Sequence, residues 1–188
     1  MKLLWLQASG CGGCTQSLLG AESRRGVFAR LAGAGVEVLF HPAVSEASGA
    51  DALALLADAA DGRLEFDALC VEGALLRGPN GSGRFHVLAG SGVPMIAWVR
   101  RLAARARHVL AIGSCTAFGG ISAGGDNLLE ACGLQFDGAE PGGLLGAGFR
   151  AGGGLPVINV AGCPAHADWI VDTLMALAGG AFSAADLD

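Results

Sequence analysis

The sequence predicts an α/β domain built on an open, doubly wound parallel sheet. Short apolar runs alternate with longer helix-like stretches, which is the pattern of this class. The runs are apolar throughout, as expected for parallel strands that helices cover on both faces. Hydrophobic residues make up 52% of the 188 residues, a content that excludes intrinsic disorder. We therefore expect one domain over residues 1–188.

Five strands are predicted where short apolar runs are bounded by polar residues or glycine. In chain order they are residues 3–7, 36–40, 66–71, 108–112 and 157–160. Four helices are predicted between and after them, at residues 15–34, 51–60, 96–106 and 166–177. Thr15 or Ser17 suits the start of the first helix, and Gly33 and Gly35 suit its end. A sheet with this order of elements is of the flavodoxin type.

The charge balance limits the classes of partner. Lys and Arg number 12 and Asp and Glu 17, which gives a net charge of −5 and no basic excess for binding nucleic acid. Charged residues are only 15% of the chain, against about 25% in soluble proteins generally. A domain so poor in charge is expected to bury part of its surface against a permanent partner protein.

We expect no leader peptide, because the first apolar run leads directly into a cysteine motif. No apolar stretch of about 18 residues is present to cross a bilayer. From these features we expect a cytoplasmic protein without direct membrane insertion. Six cysteines in a reducing compartment indicate metal or redox chemistry rather than disulfides.

Four of the cysteines follow predicted strands. Cys11 and Cys14 come after the first strand, Cys115 after the fourth and Cys163 after the fifth. The carboxyl ends of parallel strands meet at one edge of a doubly wound sheet, where ligands bind. We therefore expect these four thiols to lie close together although they are far apart in sequence.

The residues beside these cysteines suit a bulky inorganic ligand. Glycines let the backbone approach such a ligand and offer N–H donors to its sulfides. Neighbours of this kind, together with one proline, are Gly10, Gly12, Gly113 and Pro164. Four thiolates suit a [4Fe–4S] cluster or a tetrahedral zinc ion. The cluster is favoured, because structural zinc commonly uses two compact cysteine pairs and here the ligand loops are far apart in sequence.

Six motifs span nearly the whole chain, at residues 5–7, 11–19, 71–74, 113–121, 157–164 and 168–171. Taken in this order, they resemble the small subunit of nickel–iron hydrogenases. The related subunit of respiratory complex I has two adjacent cysteines in its first motif. Here Gly12 and Gly13 separate Cys11 from Cys14, which favours the hydrogenase type.

The resemblance implies a proximal [4Fe–4S] cluster held by Cys11, Cys14, Cys115 and Cys163, against a large subunit that carries the Ni–Fe centre. Hydrogen is split in that large subunit, so this chain would transfer electrons and carry no catalytic residue of its own. Glu72 matches a Glu-Gly pair of the family and is expected near the cluster, where it could hold backbone donors of a facing loop. Thr116 follows a cysteine ligand and is expected beside the cluster as well.

The sequence also departs from the family pattern. Many small subunits continue beyond the last motif with two further clusters, but only 188 − 163 = 25 residues follow Cys163 here. A single cluster and a further electron-accepting redox subunit are therefore expected. Gln16 stands where many members have Glu, and Ala165 and Ala167 replace prolines, which leaves the subgroup and the electron acceptor open.

Two functions besides electron transfer by a hydrogenase stay open. One is a regulatory hydrogen sensor, and the other is a zinc-stabilised structural module. A flavin is the weaker choice of cofactor, because no Ser/Thr-rich phosphate loop is present.

The other notable side chains have simpler interpretations. Cys70 and Cys132 are expected to be small buried hydrophobes. His166 is expected at a helix start, and Trp98 and Trp169 in the core or at an interface. A solvated helix face is expected for Arg100, Arg101, Arg105 and Arg107. Residues 138–154, rich in Gly, are expected to form a long surface loop or a partner-binding arm.

Overall fold

The structure, a computed structural model, describes residues 1–21 and 26–183. A five-stranded parallel sheet lies at its centre, with strand order β2-β1-β3-β5-β9, and this confirms the predicted fold class. Two short antiparallel pairs, β4 with β6 and β7 with β8, lie outside this sheet. In chain order the described strands are β1 (Lys2–Gln7), β2 (Glu37–Phe40), β3 (Ala68–Glu72), β4 (Leu75–Leu76), β5 (His108–Ile112), β6 (Ala131–Cys132), β7 (Phe136–Asp137), β8 (Glu140–Pro141) and β9 (Ile158–Val160).

Helices cover both faces of the sheet. In chain order they are α1 (Gly13–Leu19), α2 (Val27–Gly33), α3 (Gly49–Asp61), α4 (Met95–Ala103), α5 (Ser114–Phe118) and α6 (Ala167–Ala178). Side chains of α3 and α4 share one buried cluster with alternate residues of the strands, and those of α1, α2 and α6 share the other. Along β1, for example, Leu4 and Leu6 belong to the first cluster and Leu3 and Trp5 to the second. The molecule is therefore a three-layer sandwich with an apolar sheet in the middle.

The strand register sets where the chain leaves the sheet. Gln7 of β1 pairs with Glu72 of β3, Glu72 with Ile112 of β5, and Ile112 with Val160 of β9. These four strands therefore end at one level. The segments that follow them, which contain the cysteine motifs, emerge side by side at the carboxyl edge of the sheet.

The prediction of one helix over residues 15–34 is wrong, because the chain forms two helices there. Helix α1 ends at Leu19, with Gly20 as its C-terminal cap, and α2 starts after Gly26, whose φ of 76° and ψ of 154° are not helical. Residues 22–25, which the prediction also covered, lie outside the described part. The predicted helix 96–106 likewise ends earlier, at Ala103.

Residues 138–154 form a largely exposed segment, as predicted for a surface loop, and this segment is anchored on the body of the protein. Leu144 and Ala151 are only 5% exposed and belong to the core on the α3–α4 side. The Gln135 side chain holds the segment in place. Its Nε2 donates to the carbonyls of Ala147 and Phe149, and its Oε1 accepts from the Val157 amide. The segment is therefore a loop held to the core at several points, and whether it binds a partner stays a prediction.

Within the described residues, no helix combines the length and the apolar character that spanning a bilayer requires.

Candidate metal centre

Four cysteine side chains meet at the carboxyl edge of the sheet, as the sequence led us to expect. Cys11, Cys14, Cys115 and Cys163 all line one cavity of about 80 Å³. Cys14 is buried, Cys115 is partly buried, and Cys11 and Cys163 are exposed to solvent. The cavity therefore has an inner and an outer pair of thiols.

Backbone hydrogen bonds hold the cysteine loops to one another. After β5, the Gly113 amide donates to the Val160 carbonyl, and the Ser114 amide donates to the Gly162 carbonyl. The Gly162 amide in turn donates to the Ser114 hydroxyl. These bonds link the loop of Cys115 directly to the loop of Cys163.

Glycines next to the cavity are needed because a side chain would collide with the thiols. A Cβ atom on Gly113 would lie 2.5 Å from Cys14 Sγ, and one on Gly120 would lie 2.7 Å from Cys115 Sγ. Both glycines also have positive φ, a conformation that other residues rarely adopt. From the sequence, Gly113 is predicted as a neighbour of the site but Gly120 is not, although Gly120 lies within the motif at residues 113–121.

The remaining predicted neighbours lie close by. Gly12 has a φ of 73°, and a Cβ there would be 2.9 Å from Gln7 Nε2. Gly10 lies against the backbone of Gly73, and a Cβ on Gly10 would be 3.1 Å from Gly73 Cα. Both Gly10 and Pro164 line the cavity. Thr116 lies behind it, and its hydroxyl donates to the Gly73 carbonyl over 2.8 Å.

Glu72, at the end of β3, is a buried carboxylate at the inner side of the cavity, with only 3% of its surface exposed. Its Oε1 accepts from the amides of Cys14 and Thr15, at 3.0 and 3.1 Å. Its Oε2 accepts from the Thr15 hydroxyl at 2.5 Å and from Trp5 Nε1 at 3.3 Å. Glu72 thus holds the backbone donors of a facing loop, as the sequence suggested, and these belong to the first turn of α1.

The thiols are electrostatically coupled. Burial raises the pKa of Cys14, and the nearby Glu72, Cys115 and Cys11 raise it further, against a bond from the Ala165 amide to Cys14 Sγ that lowers it. The pKa of Cys115 is raised by burial and by Cys163, and the Ile121 amide lowers it. Four thiolates crowded beside a carboxylate repel one another, so a cationic group between them would stabilise the thiolate forms.

The arrangement of the thiols and the size of the cavity favour a cluster over a single metal ion. A tetrahedral zinc ion binds sulfur at about 2.3 Å, which places its thiolates about 3.8 Å apart. Among the described residues, no three His, Cys, Asp or Glu side chains are arranged to hold a single metal ion. The thiols border a cavity of about 80 Å³, several times the roughly 10–15 Å³ that one water needs. This donor set fits a four-iron cluster, in which each cysteine binds a different iron.

The two other cysteines lie in the core and not at this edge. Cys70 and Cys132 are both fully buried, and burial raises the pKa of Cys132 to about 11.

His166 is the N-terminal cap of α6, where its Nδ1 accepts from the Asp168 amide. Trp98 is a core residue, whereas Trp169 is 62% exposed.

The predicted solvated helix face is confirmed for Arg100 and Arg101, which are exposed on α4. For Arg105 and Arg107 the prediction is wrong in part: both are exposed, but they follow the end of α4 at Ala103 and lie on no helix.

Sequence reasoning missed several exposed apolar side chains, one of which lies beside Cys115. Ile121, whose backbone amide bonds the Cys115 sulfur, is 93% exposed, and Leu128 is 82% exposed. Phe85 and Leu129 both lie next to Gly78, where a Cβ atom would be 2.7 Å from the Phe85 ring and 2.9 Å from the Leu129 carbonyl. We call the following five exposed apolar side chains the apolar rim: Phe85, Phe118, Ile121, Leu128 and Leu129.

Comparisons with known proteins identify the family of this chain. The family model described as "NADH ubiquinone oxidoreductase, 20 Kd subunit" matches residues 11–177. Among curated proteins, the chain is 30% identical to the F420 non-reducing hydrogenase II small subunit of Methanosarcina mazei, over 94% of this chain and 48% of that protein. It is 31% identical to the periplasmic [NiFeSe] hydrogenase small subunit of Desulfomicrobium baculatum, over 93% of this chain and 53% of that protein. The chain thus spans about half the length of these relatives.

Solved structures give the same result. The actinobacterial-type NiFe-hydrogenase from Ralstonia eutropha H16 superimposes with a TM-score of 0.78 at 29% identity, over 97% of this chain and 55% of that one. An NAD+-reducing [NiFe]-hydrogenase shares the fold, with a TM-score of 0.53 at 17% identity, over 95% of this chain and 91% of that one. With its parallel sheet and its edge of four cysteines, the chain belongs to the family of nickel–iron hydrogenase small subunits and NADH ubiquinone oxidoreductase 20 kDa subunits.

Proposed function

We propose that this chain is the electron-transferring small subunit of a nickel–iron hydrogenase, with one proximal [4Fe–4S] cluster bound by Cys11, Cys14, Cys115 and Cys163. The observation that carries this proposal is the convergence of these four thiols on one glycine-lined cavity. The hydrogenase small subunits among the relatives support the choice of reaction. Bond chemistry on hydrogen would take place in the large subunit.

When bound, such a cluster accepts and releases one electron at a time. The residues of this chain would bind it and set its surroundings. Glu72 fixes the turn that presents Cys14, and the Ala165 amide donates to Cys14 Sγ over 3.4 Å. N–H···S bonds, local charge and burial are the means by which a protein adjusts the reduction potential of a cluster.

The apolar rim supports a large subunit as the partner. Ile121 lies directly beside Cys115, so a protein that covers the rim also comes close to the cavity. Exposed apolar patches of this kind mark protein interfaces. Docking at this edge would shorten the distance over which an electron must pass to the cysteine site.

A single cluster is the number that the cysteines of this chain support. Of six cysteines, four line the cavity, and Cys70 and Cys132 are enclosed in the core. We further propose a cytoplasmic location and a separate redox subunit that takes up the electron. Cell fractionation and purification of the native complex test these two points, and recovery in the periplasm or without a third redox chain would contradict them.

The central experiment is coexpression of this chain with its large subunit under anaerobic conditions, followed by metal and sulfide analysis. We expect about four iron and four sulfide per small subunit, a broad brown absorption, and hydrogen-dependent reduction of an added electron acceptor. Stoichiometric zinc, or about two iron per chain, would contradict the cluster. A complex that carries the cluster but reduces no acceptor would instead favour the regulatory sensor.

A further inference from the structure

A buried tryptophan reaches the cysteine site through Glu72. Trp5 lies in the middle of β1, is fully buried, and has no atom in the wall of the cavity. Its indole Nε1 nevertheless donates to Glu72 Oε2 at 3.3 Å, and the other oxygen of the same carboxylate holds the Cys14 amide. The Glu72 side chain therefore connects Trp5, in the centre of the sheet, to the loop that carries Cys14.

A histidine supports the tryptophan from its other side. The His41 ring lies against the Trp5 ring, with centroids 4.9 Å apart and planes inclined by 39°. His41 follows β2 and is only 1% exposed. Its Nδ1 accepts from the Ala43 amide, and its backbone N–H donates to the Ser45 hydroxyl, so the ring is fixed in place. The rings of Trp5 and His41 thus form a brace behind Glu72.

We propose that Trp5 and His41 are positioning residues of the cysteine site. Trp5 keeps the Glu72 carboxylate turned towards the first turn of α1, His41 keeps the indole at the angle from which it can donate, and the orientation of Cys14 depends on both. This inference rests on the proposed function, because Cys14, whose orientation is affected, is a ligand of the proposed cluster. It adds two residues that do not line the cavity, Trp5 on β1 and His41 just after the neighbouring strand β2.

The alternative is that Trp5 only packs in the core, and Trp98 provides a matched control for that alternative. Trp98 is also buried, at 4% exposure, and its Nε1 also donates a hydrogen bond, to the Ser91 hydroxyl at 3.2 Å. It lies on α4, in the opposite core cluster from Trp5. Replacing either tryptophan by phenylalanine removes an indole and one N–H donor, but only Trp5 is joined to Glu72.

The experiment compares Trp5→Phe with Trp98→Phe in the complex with the large subunit, after both are shown to contain wild-type amounts of iron and sulfide. For Trp5→Phe we expect a lower reduction potential of the cluster, because the positive end of the N–H dipole no longer faces the site. We also expect faster hydrogen–deuterium exchange of the peptide that contains Cys14 and Thr15. Trp98→Phe should change neither the potential nor this exchange.

The outcomes separate this inference from the proposed function. A wild-type complex without a cluster would overturn both. A loaded Trp5→Phe complex with unchanged potential and exchange, or with changes equal to those of Trp98→Phe, would overturn the brace alone. If Trp5→Phe does not accumulate, His41→Leu gives the second measurement. It should shift the potential and the exchange in the same direction by a smaller amount, and an unchanged His41→Leu complex would overturn the proposal.

Discussion

The two edges of the sheet carry cavities of very different size and chemistry. At the amino edge a groove of about 550 Å³ is lined by residues such as Met1, Asp67, Arg107 and His108. Two of its polar groups are bonded within the chain: the N-terminal ammonium donates to the Gly35 carbonyl, and Asp67 accepts from the Lys2 amide. At the carboxyl edge the cavity measures only about 80 Å³.

The small cavity is nevertheless where one kind of ligand atom converges from several loops. Four thiols surround it, and glycines leave no room for other side chains. The wide groove has mixed walls and no such convergence. In this fold the site is therefore identified by lining groups of one chemical kind and not by the volume of the cavity. Its position also fits the rule that ligands bind at the carboxyl ends of parallel strands.

The largest expected effect comes from the cysteines themselves. Replacing any one of Cys11, Cys14, Cys115 or Cys163 by Ser should cause loss of most of the bound iron, because a four-iron cluster needs four thiolates. Iron and sulfide analysis of the purified complex measures this. Cys70→Ala and Cys132→Ala are the controls and should retain the cluster, at a cost of about 1 kcal/mol in unfolding free energy. A full cluster after Cys115→Ala would show that the ligand set is wrong.

A glycine at each edge gives the next comparison. Gly113→Ala and Gly154→Ala both place a Cβ at positive φ, 86° and 85°, so both carry a strain of about 1–2 kcal/mol. Only the Cβ on Gly113 meets a thiol, Cys14 Sγ at 2.5 Å, whereas nothing lies within 4 Å of the one on Gly154. We expect reduced cluster occupancy for Gly113→Ala and normal occupancy for Gly154→Ala, measured by the absorption of the cluster. Equal occupancy in the two variants would remove the steric argument for Gly113.

The apolar rim provides a test of docking. Burying a large apolar side chain contributes about 1.5–3 kcal/mol, so Ile121→Asp should weaken binding of the large subunit about tenfold or more. Val44→Asp is the control, because Val44 is an exposed apolar residue outside the rim. Affinity can be measured by titrating labelled subunits. If both variants bind like the wild type, the large subunit docks elsewhere.

Histidines at both edges predict a common dependence on pH. Burial lowers the pKa of His41, near the carboxyl edge, and of His108, at the amino edge, from the ordinary value of 6.5. Below pH 6.5 the unfolded chain therefore binds more protons than the folded one, and the free energy of unfolding should fall as the pH drops further. Urea unfolding at pH 7.5 and 5.5 checks this. If the free energy of unfolding stays constant or rises on acidification, the pKa values of these histidines are not lowered by burial.

The smallest effect is expected in the wide groove. Arg107 is exposed and lines this groove, so Arg107→Ala should change the unfolding free energy by less than about 0.5 kcal/mol. Cluster content and acceptor reduction should equal those of the wild type. A loss of activity in this variant would mean that the amino edge has a function of its own.

Much of the fold could be predicted from local sequence, for a physical reason. The sheet strands are short apolar runs buried on both faces, so hydropathy alone locates them, and the strand predicted at residues 108–112 coincides with β5. The meeting of Cys11, Cys115 and Cys163 then follows from parallel topology. Site residues that sit directly after strands are therefore accessible to this reasoning.

Other features depend on contacts between distant segments. The end of α1 and the start of α2 are set by Gly20 and Gly26 inside a stretch that otherwise looks helical. Gln135 resembles a surface amide in the sequence, and only the folded chain shows it binding two carbonyls and an amide. Trp5 reads as an ordinary strand residue, since its bond to Glu72 spans 67 positions.

The unequal burial of the four thiols implies an order of maturation. Cys14 is held at its backbone amide by Glu72 and at its sulfur by the Ala165 amide. Cys11 and Cys163 stand on the solvent side. A cluster delivered to the folded chain would therefore enter past the outer pair, and a chelator would remove it by the same route. Ile121 of the apolar rim lies beside Cys115, which borders the same cavity, so a partner seated on the rim would cover part of it, and loading should precede assembly of the complex.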